Sequence, residues 1–97
     1  MYGTIGHYHL KPGMREAALQ TLHAQESIAV PGIIAVHVYQ NDQNPDELML
    51  VVMFENRATY LANANSPEQH ERYLKVRQFL VSDPTWFDGE IIDSIRF

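Results

Sequence analysis

From Tyr2 to Leu10 the side chains alternate, with Thr4, Gly6, Tyr8 and Leu10 on one side and Ile5, His7 and His9 on the other, the two-residue period of a strand. Lys11-Pro12-Gly13 breaks the pattern as a tight turn, proline presetting φ and glycine free to take a positive value. The period then changes. Met14, Ala18 and Leu22, with Ala17, Leu19 and Ile28, recur at helical spacing from Met14 to about Ile28, leaving Arg15, Glu16, Gln20, His23 and Gln25 mostly outside. Val30-Pro31-Gly32 stops that helix, and the β-branched run from Gly32 to Tyr39 predicts a second strand. Polar residues from Asn41 to Asp46 turn the chain into Glu47 to Phe54, a third strand apolar on both faces and therefore central or facing a second subunit.

Beyond this hairpin, Asn56 can cap a short helix through Arg57, Tyr60, Leu61 and Ala64. Ser66-Pro67-Glu68-Gln69 is a well-made start for a longer one. Ser66 suits the N-cap, Pro67 fits the first helical position, and Gln69 can reach back to the cap. The spacing predicts a helix from Pro67 to about Val81, with Tyr73, Val76, Phe79 and Leu80 toward the sheet and Arg72 and Arg77 solvated or paired with Glu68 or Glu71. Asp83-Pro84 ends it, Trp86-Phe87 reads as loop, and Glu90 to Phe97 as the last strand. The sum is a ferredoxin-like βαββαβ order: an α+β domain with an antiparallel four-stranded sheet and helices on one face. The other, apolar face then calls for a second copy of the chain, closing an α+β barrel.

Composition narrows the functional classes. The 97 residues make one domain spanning 1–97, able to fold alone but too small to enclose a roomy cavity without a partner. A net charge of −5, from 12 acidic and 7 basic residues, gives no footprint for nucleic acid or an anionic membrane. No apolar run approaches the ~20 residues of a bilayer span, the first residues lack the regions of a signal peptide, and a cytoplasmic location is expected. The absence of cysteine excludes disulfides, thiol nucleophiles and thiolate metal sites.

Several stretches together resemble the antibiotic biosynthesis monooxygenase (ABM) family: Ile5 to Gly13, Val30-Pro31-Gly32, Leu48 to Glu55 with Asn56-Arg57 and Tyr60, Ser66-Pro67 with His70, and Asp83-Pro84 with Trp86 and Asp88-Gly89-Glu90. The resemblance implies a dimeric α+β barrel with a pocket in each subunit between helices and sheet. The activities it implies are cofactor-independent oxidation of quinol-like or polyketide aromatics, or oxidative haem breakdown. The haem-degrading pattern is not kept: its asparagine falls opposite Gly6, its tryptophan near Asn63, and its histidine where Tyr73 stands.

The candidate chemistry is sparse. His70 lies in a first helical turn, where the dipole disfavours its cation and keeps it a neutral base or hydrogen-bond partner; the plainer alternative is a half-exposed side chain packed on the short helix. His70, Tyr73 and Asn63 form the candidate catalytic set, with Tyr8, Tyr60, Phe79 and Trp86 as aromatic contacts for a ligand; core packing is the other reading of those rings. His7 and His9, with His37 across from them, lack a carboxylate at a regular offset, so they read as an interface or cavity lining rather than a metal centre. No dinucleotide, phosphate-loop or nucleophile-elbow motif occurs, so no cofactor is expected. Two functions follow: a cofactor-independent monooxygenase acting on a small planar aromatic, or a non-catalytic dimeric barrel that binds a small apolar metabolite.

Overall fold

The computed structural model describes residues 1–25 and 28–97. Four strands, β1 (Tyr2–His9), β2 (Ile33–Gln40), β3 (Glu47–Phe54) and β4 (Thr85–Glu90), and three helices, α1 (Arg15–His23), α2 (Arg57–Ala64) and α3 (Pro67–Arg77), follow in the order β1α1β2β3α2α3β4. All neighbouring strands are antiparallel, in the spatial order β2-β3-β1-β4. This is the ferredoxin-like α+β fold expected from the alternation of strand and helix periods, with an extra short helix before α3. Among the described residues no helix is long and apolar enough to cross a membrane.

The apolar third strand sits inside the sheet, as its lack of a polar face requires. Tyr8, Leu10, Leu48 and Leu50 point from β1 and β3 toward the helices and meet Ala18, Val76 and Leu80 in one buried cluster, with Leu19, Leu22 and Phe79 packed against it. Helix starts follow the capping residues. Asn56 Oδ1 accepts the Thr59 N–H at 2.9 Å and Ser66 Oγ accepts the Gln69 N–H at 3.1 Å, each satisfying a donor the first turn leaves without a partner. Gln69 does not complete a capping box: the Ser66 N–H goes to the Asn63 carbonyl instead. Gly13 takes φ 77, the left-handed conformation that the turn into α1 demands.

Three boundaries differ from the periodicity. α1 ends at His23, where Gln25 N–H bonds the Leu22 carbonyl in a tighter turn; Ile28 lies outside the helix, and residues 26 and 27 of the predicted span lie outside the described residues. α3 ends at Arg77 because the next residues are drawn to the end of β1. Lys11 N–H bonds the Phe79 carbonyl, Val81 N–H bonds the His9 carbonyl, and Leu10 and Leu80 form a bridge. The last strand is Thr85–Glu90, not Glu90–Phe97, so Trp86 and Phe87 are strand residues and not loop. β4 pairs with β1 from His7↔Thr85 to Tyr2↔Glu90, and one further bond joins Ile91 N–H to the Met1 carbonyl. Residues 92–97 extend past that ladder, and Ile92, Ile95 and Phe97 are exposed.

The helices cover β1 and β3 but leave much of β2 open: Val36 and Val38, which share a face with Val52 and Leu50, are 46% and 41% exposed. On the opposite face Ile5, Phe87 and Tyr39 are exposed and Met49, Val51 and Met53 half-buried, an apolar surface with no helix over it.

Candidate functional site: a cleft between sheet and helices

The open side of β2 is one wall of a cleft of about 1350 Å³, floored by Thr4, Tyr8, Leu50 and Val52 and roofed by residues of all three helices. The expectation from length concerned an enclosed cavity, and the single chain does not enclose this one. The cavity is a cleft open at one side, which costs less buried surface than an enclosed chamber.

The structure brings most of the predicted site residues together here. Tyr8, Tyr60, Asn63, His70, Tyr73 and Trp86 all line the cleft; Phe79 does not, and lines a smaller depression between α1 and α3. The aromatic residues are held by one another. The Trp86 ring stands edge-on to Tyr8 with centroids 5.6 Å apart, and Tyr60 packs against Tyr2 at 5.2 Å and Phe54 at 5.6 Å. Trp86 also covers Gly6, where an added Cβ would lie 2.5 Å from the indole. The place of the haem branch's asparagine is thus filled by a ring from β4.

The polar groups differ in what they have left to offer. The Tyr60 hydroxyl donates to Asp88 Oδ1 at 2.8 Å. Its phenol is pushed up to about 12, first by burial and then by the Asp88 carboxylate, while the nearby Thr4 hydroxyl works weakly the other way without reaching hydrogen-bond geometry. Among the described residues, Thr4 Oγ1, buried in the floor, has no hydrogen-bond partner. Burial pushes the Tyr8 phenol up as well, and Tyr73 is raised by burial and then by Asp83, which accepts its hydroxyl at 3.3 Å. These three phenols stay protonated at neutral pH and are no bases. His70 is exposed in the first turn of α3, and its ring makes no hydrogen bond among the described residues.

Two polar features escaped the sequence reading. Asp88 lies on β4, in a stretch read as the approach to a later strand; the alternation Trp86, Asp88, Glu90 was the available signal. Arg72 is only partly exposed and pairs with neither Glu68 nor Glu71. Its Nη2 donates to Asn63 Oδ1 and Gln69 Oε1, both at 3.0 Å, and its Nε to Gln69 Oε1 at 3.2 Å. Arg77 pairs instead with Asp83 at 2.8 Å, holding that carboxyl below its usual range. On the uncovered face β3 supplies the carboxylate that the sequence spacing lacked. Glu47 stands opposite His9, 3.4 Å from its Nδ1 and 3.9 Å from His7 Nε2, and the three side chains offer ligand atoms within 4.8 Å of one another. His37 is not beside them, since its register partner is Val51.

Among solved structures, a Nitrosomonas europaea protein provisionally named an antibiotic biosynthesis monooxygenase is 18% identical with a TM-score of 0.80, over 96% of this chain and 100% of its own. A Bordetella bronchiseptica protein with the same provisional name is 15% identical with a TM-score of 0.83, over 94% and 96%. Rv0793 of Mycobacterium tuberculosis is 18% identical with a TM-score of 0.80, over 98% of both chains. At such identities these likenesses establish the fold alone. No curated protein matches the sequence. The family model for antibiotic biosynthesis monooxygenases matches residues 1–73, from β1 into α3, and the chain belongs to that family.

Proposed function

We propose that this protein is a cofactor-independent monooxygenase for a small planar aromatic, such as an anthrone or quinol, and that it works as a homodimer in the cytoplasm. The observation that carries the reading is the cleft itself: apolar walls from Val36, Leu50, Val52, Phe54 and Trp86, with Asn63, Tyr60 and His70 at its polar edge. Flat rings fit between such walls, and a few placed polar groups fix their orientation.

For an anthrone the chemistry balances without a cofactor. His70 takes a proton from the CH₂ beside the aromatic rings, and the Asn63 amide stabilises the resulting enolate by a hydrogen bond, while Tyr60, whose hydroxyl is engaged by Asp88, contributes its ring face. The carbanion carbon adds O₂ and the second carbon-bound proton is lost with the O–O bond as it breaks. One oxygen atom ends as the new C=O, the other as water, and all electrons come from the substrate. Tyr73 contributes its ring face, since its hydroxyl is engaged by Asp83.

Oxygen uptake with a panel of anthrones and quinols tests the assignment. His70→Ala is expected to fold normally and to lose about 10²-fold or more in rate, the usual cost of removing a general base. Turnover by His70→Ala at the wild-type rate removes His70 from the mechanism. A panel without any oxygen uptake removes the enzyme reading in favour of a ligand-binding barrel.

A further inference from the structure

We infer that the Arg72 guanidinium is an anion subsite of the cleft, and that the ligand taken up is a planar aromatic carrying a carboxylate at one edge. The inference rests on the ligand-binding reading of the cleft and adds the charge of its ligand. Arg72 is half-buried in the wall formed by α3, and its backbone carbonyl accepts from Gln25 Nε2 at 3.3 Å, tying the residue to the end of α1. Three of its N–H bonds are spent on Asn63 and Gln69, which fix the plane of the head group without neutralising it. Its Nη1 has no acceptor, and no carboxylate is paired with it, among the described residues.

The charge is thus half-buried in the cleft wall and unmatched by an anion among the described residues, a place a ligand's anion can take. Its neighbour Arg77, one turn on, has that match in Asp83. Asp88, which also lines the cleft, is not paired with Arg72 and accepts the Tyr60 hydroxyl. The arrangement is a cation oriented in advance, with both Nη1 hydrogens directed to no protein acceptor, and a carboxylate is the group whose geometry such a fork fits.

Isothermal titration calorimetry of the full chain with 2-naphthoate and its neutral isostere 2-naphthamide, at neutral pH, tests this. The wild type is expected to bind the carboxylate about 10- to 100-fold more tightly, the range of a charge-assisted hydrogen bond. Arg72→Gln should abolish the preference while leaving the amide's affinity unchanged, and Arg72→Lys should retain part of it. In the wild type, the Arg72 Nε–H resonance should shift with 2-naphthoate and not with 2-naphthamide, a readout that needs no variant. Equal binding of the two probes, or a preference that survives in Arg72→Gln, overturns the anion subsite and leaves the aromatic cleft standing. If neither probe binds, the cleft reading falls and this inference with it.

Discussion

Thr4 and Tyr60, both lining the cleft, act on stability in opposite directions. Thr4 Oγ1 is buried without a partner among the described residues, and such an orphan costs about 1–3 kcal/mol. Thr4→Val should therefore raise stability by about 1 kcal/mol in urea unfolding, while weakening any ligand that bonds the hydroxyl. A loss of stability would mean that the hydroxyl has a partner in solution. Tyr60 makes a pH prediction. Its phenol titrates at about 12 in the folded chain against 10.0 in its ordinary state, so the folded protein holds this proton more tightly. The associated stability is fully present below pH 10 and is lost as pH rises toward 12. Urea unfolding at pH 8 and pH 11 should show a smaller loss in Tyr60→Phe than in wild type. The loss should not vanish, because Tyr8 is shifted in the same direction.

Helix starts were legible because a cap is a local device: Asn56 and Ser66 need only the N–H three residues on. Ser66→Ala should cost about 0.5–2 kcal/mol, measured as a lower urea midpoint, since α3 loses its cap and gains nothing in exchange. Helix ends were not legible, because α3 is cut short by backbone bonds to β1, a segment some seventy residues earlier in the chain. β4 was misplaced for the same reason. Ile91, Ile92, Ile95 and Phe97 alternate more convincingly than Thr85–Glu90, but a strand exists where a neighbour accepts its hydrogen bonds, and β1 offers them from Tyr2 to His7. The β4 position of Trp86 makes Gly6 a tight site. Gly6→Ala should displace the indole of this lone tryptophan and shift its fluorescence, whereas an unchanged spectrum would show that the ring has room to give.

For the whole molecule, the unexplained surface is the sheet face without helices. Ile5, Phe87, Val51 and Met49 form a contiguous apolar patch, of the kind monomeric proteins seldom expose. The proposed homodimer, packing two such faces together, would account for it, and the exposed side chains of Ile92, Ile95 and Phe97 add to what a second copy can cover. Sedimentation equilibrium at micromolar concentration should give about twice the chain mass of 11.2 kDa, with an interface above ~1,000 Å². Ile5→Asp, which puts a charge at the middle of that face, should shift the equilibrium to monomer. A wild-type chain that sediments as a stable monomer would remove the barrel assembly.

By itself the sequence determined what depends on near neighbours: the strand period of Tyr2–His9, the all-apolar β3, the turn at Gly13 and the two capped helix starts. The family likeness was visible there too, because it rests on short motifs in a fixed order. Only the tertiary structure decided which strand closes the sheet, how open the cleft is, and what the charged groups do. Asn63, Gln69 and Arg72 share a network because the turn between α2 and α3 folds one helix back on the other. Glu47 meets His7 and His9 because β3 lies beside β1. Periodicity reports which side of an element is apolar. The partners of a polar side chain are set by register and crossing, and those are properties of the packed sheet and helices that no local pattern encodes.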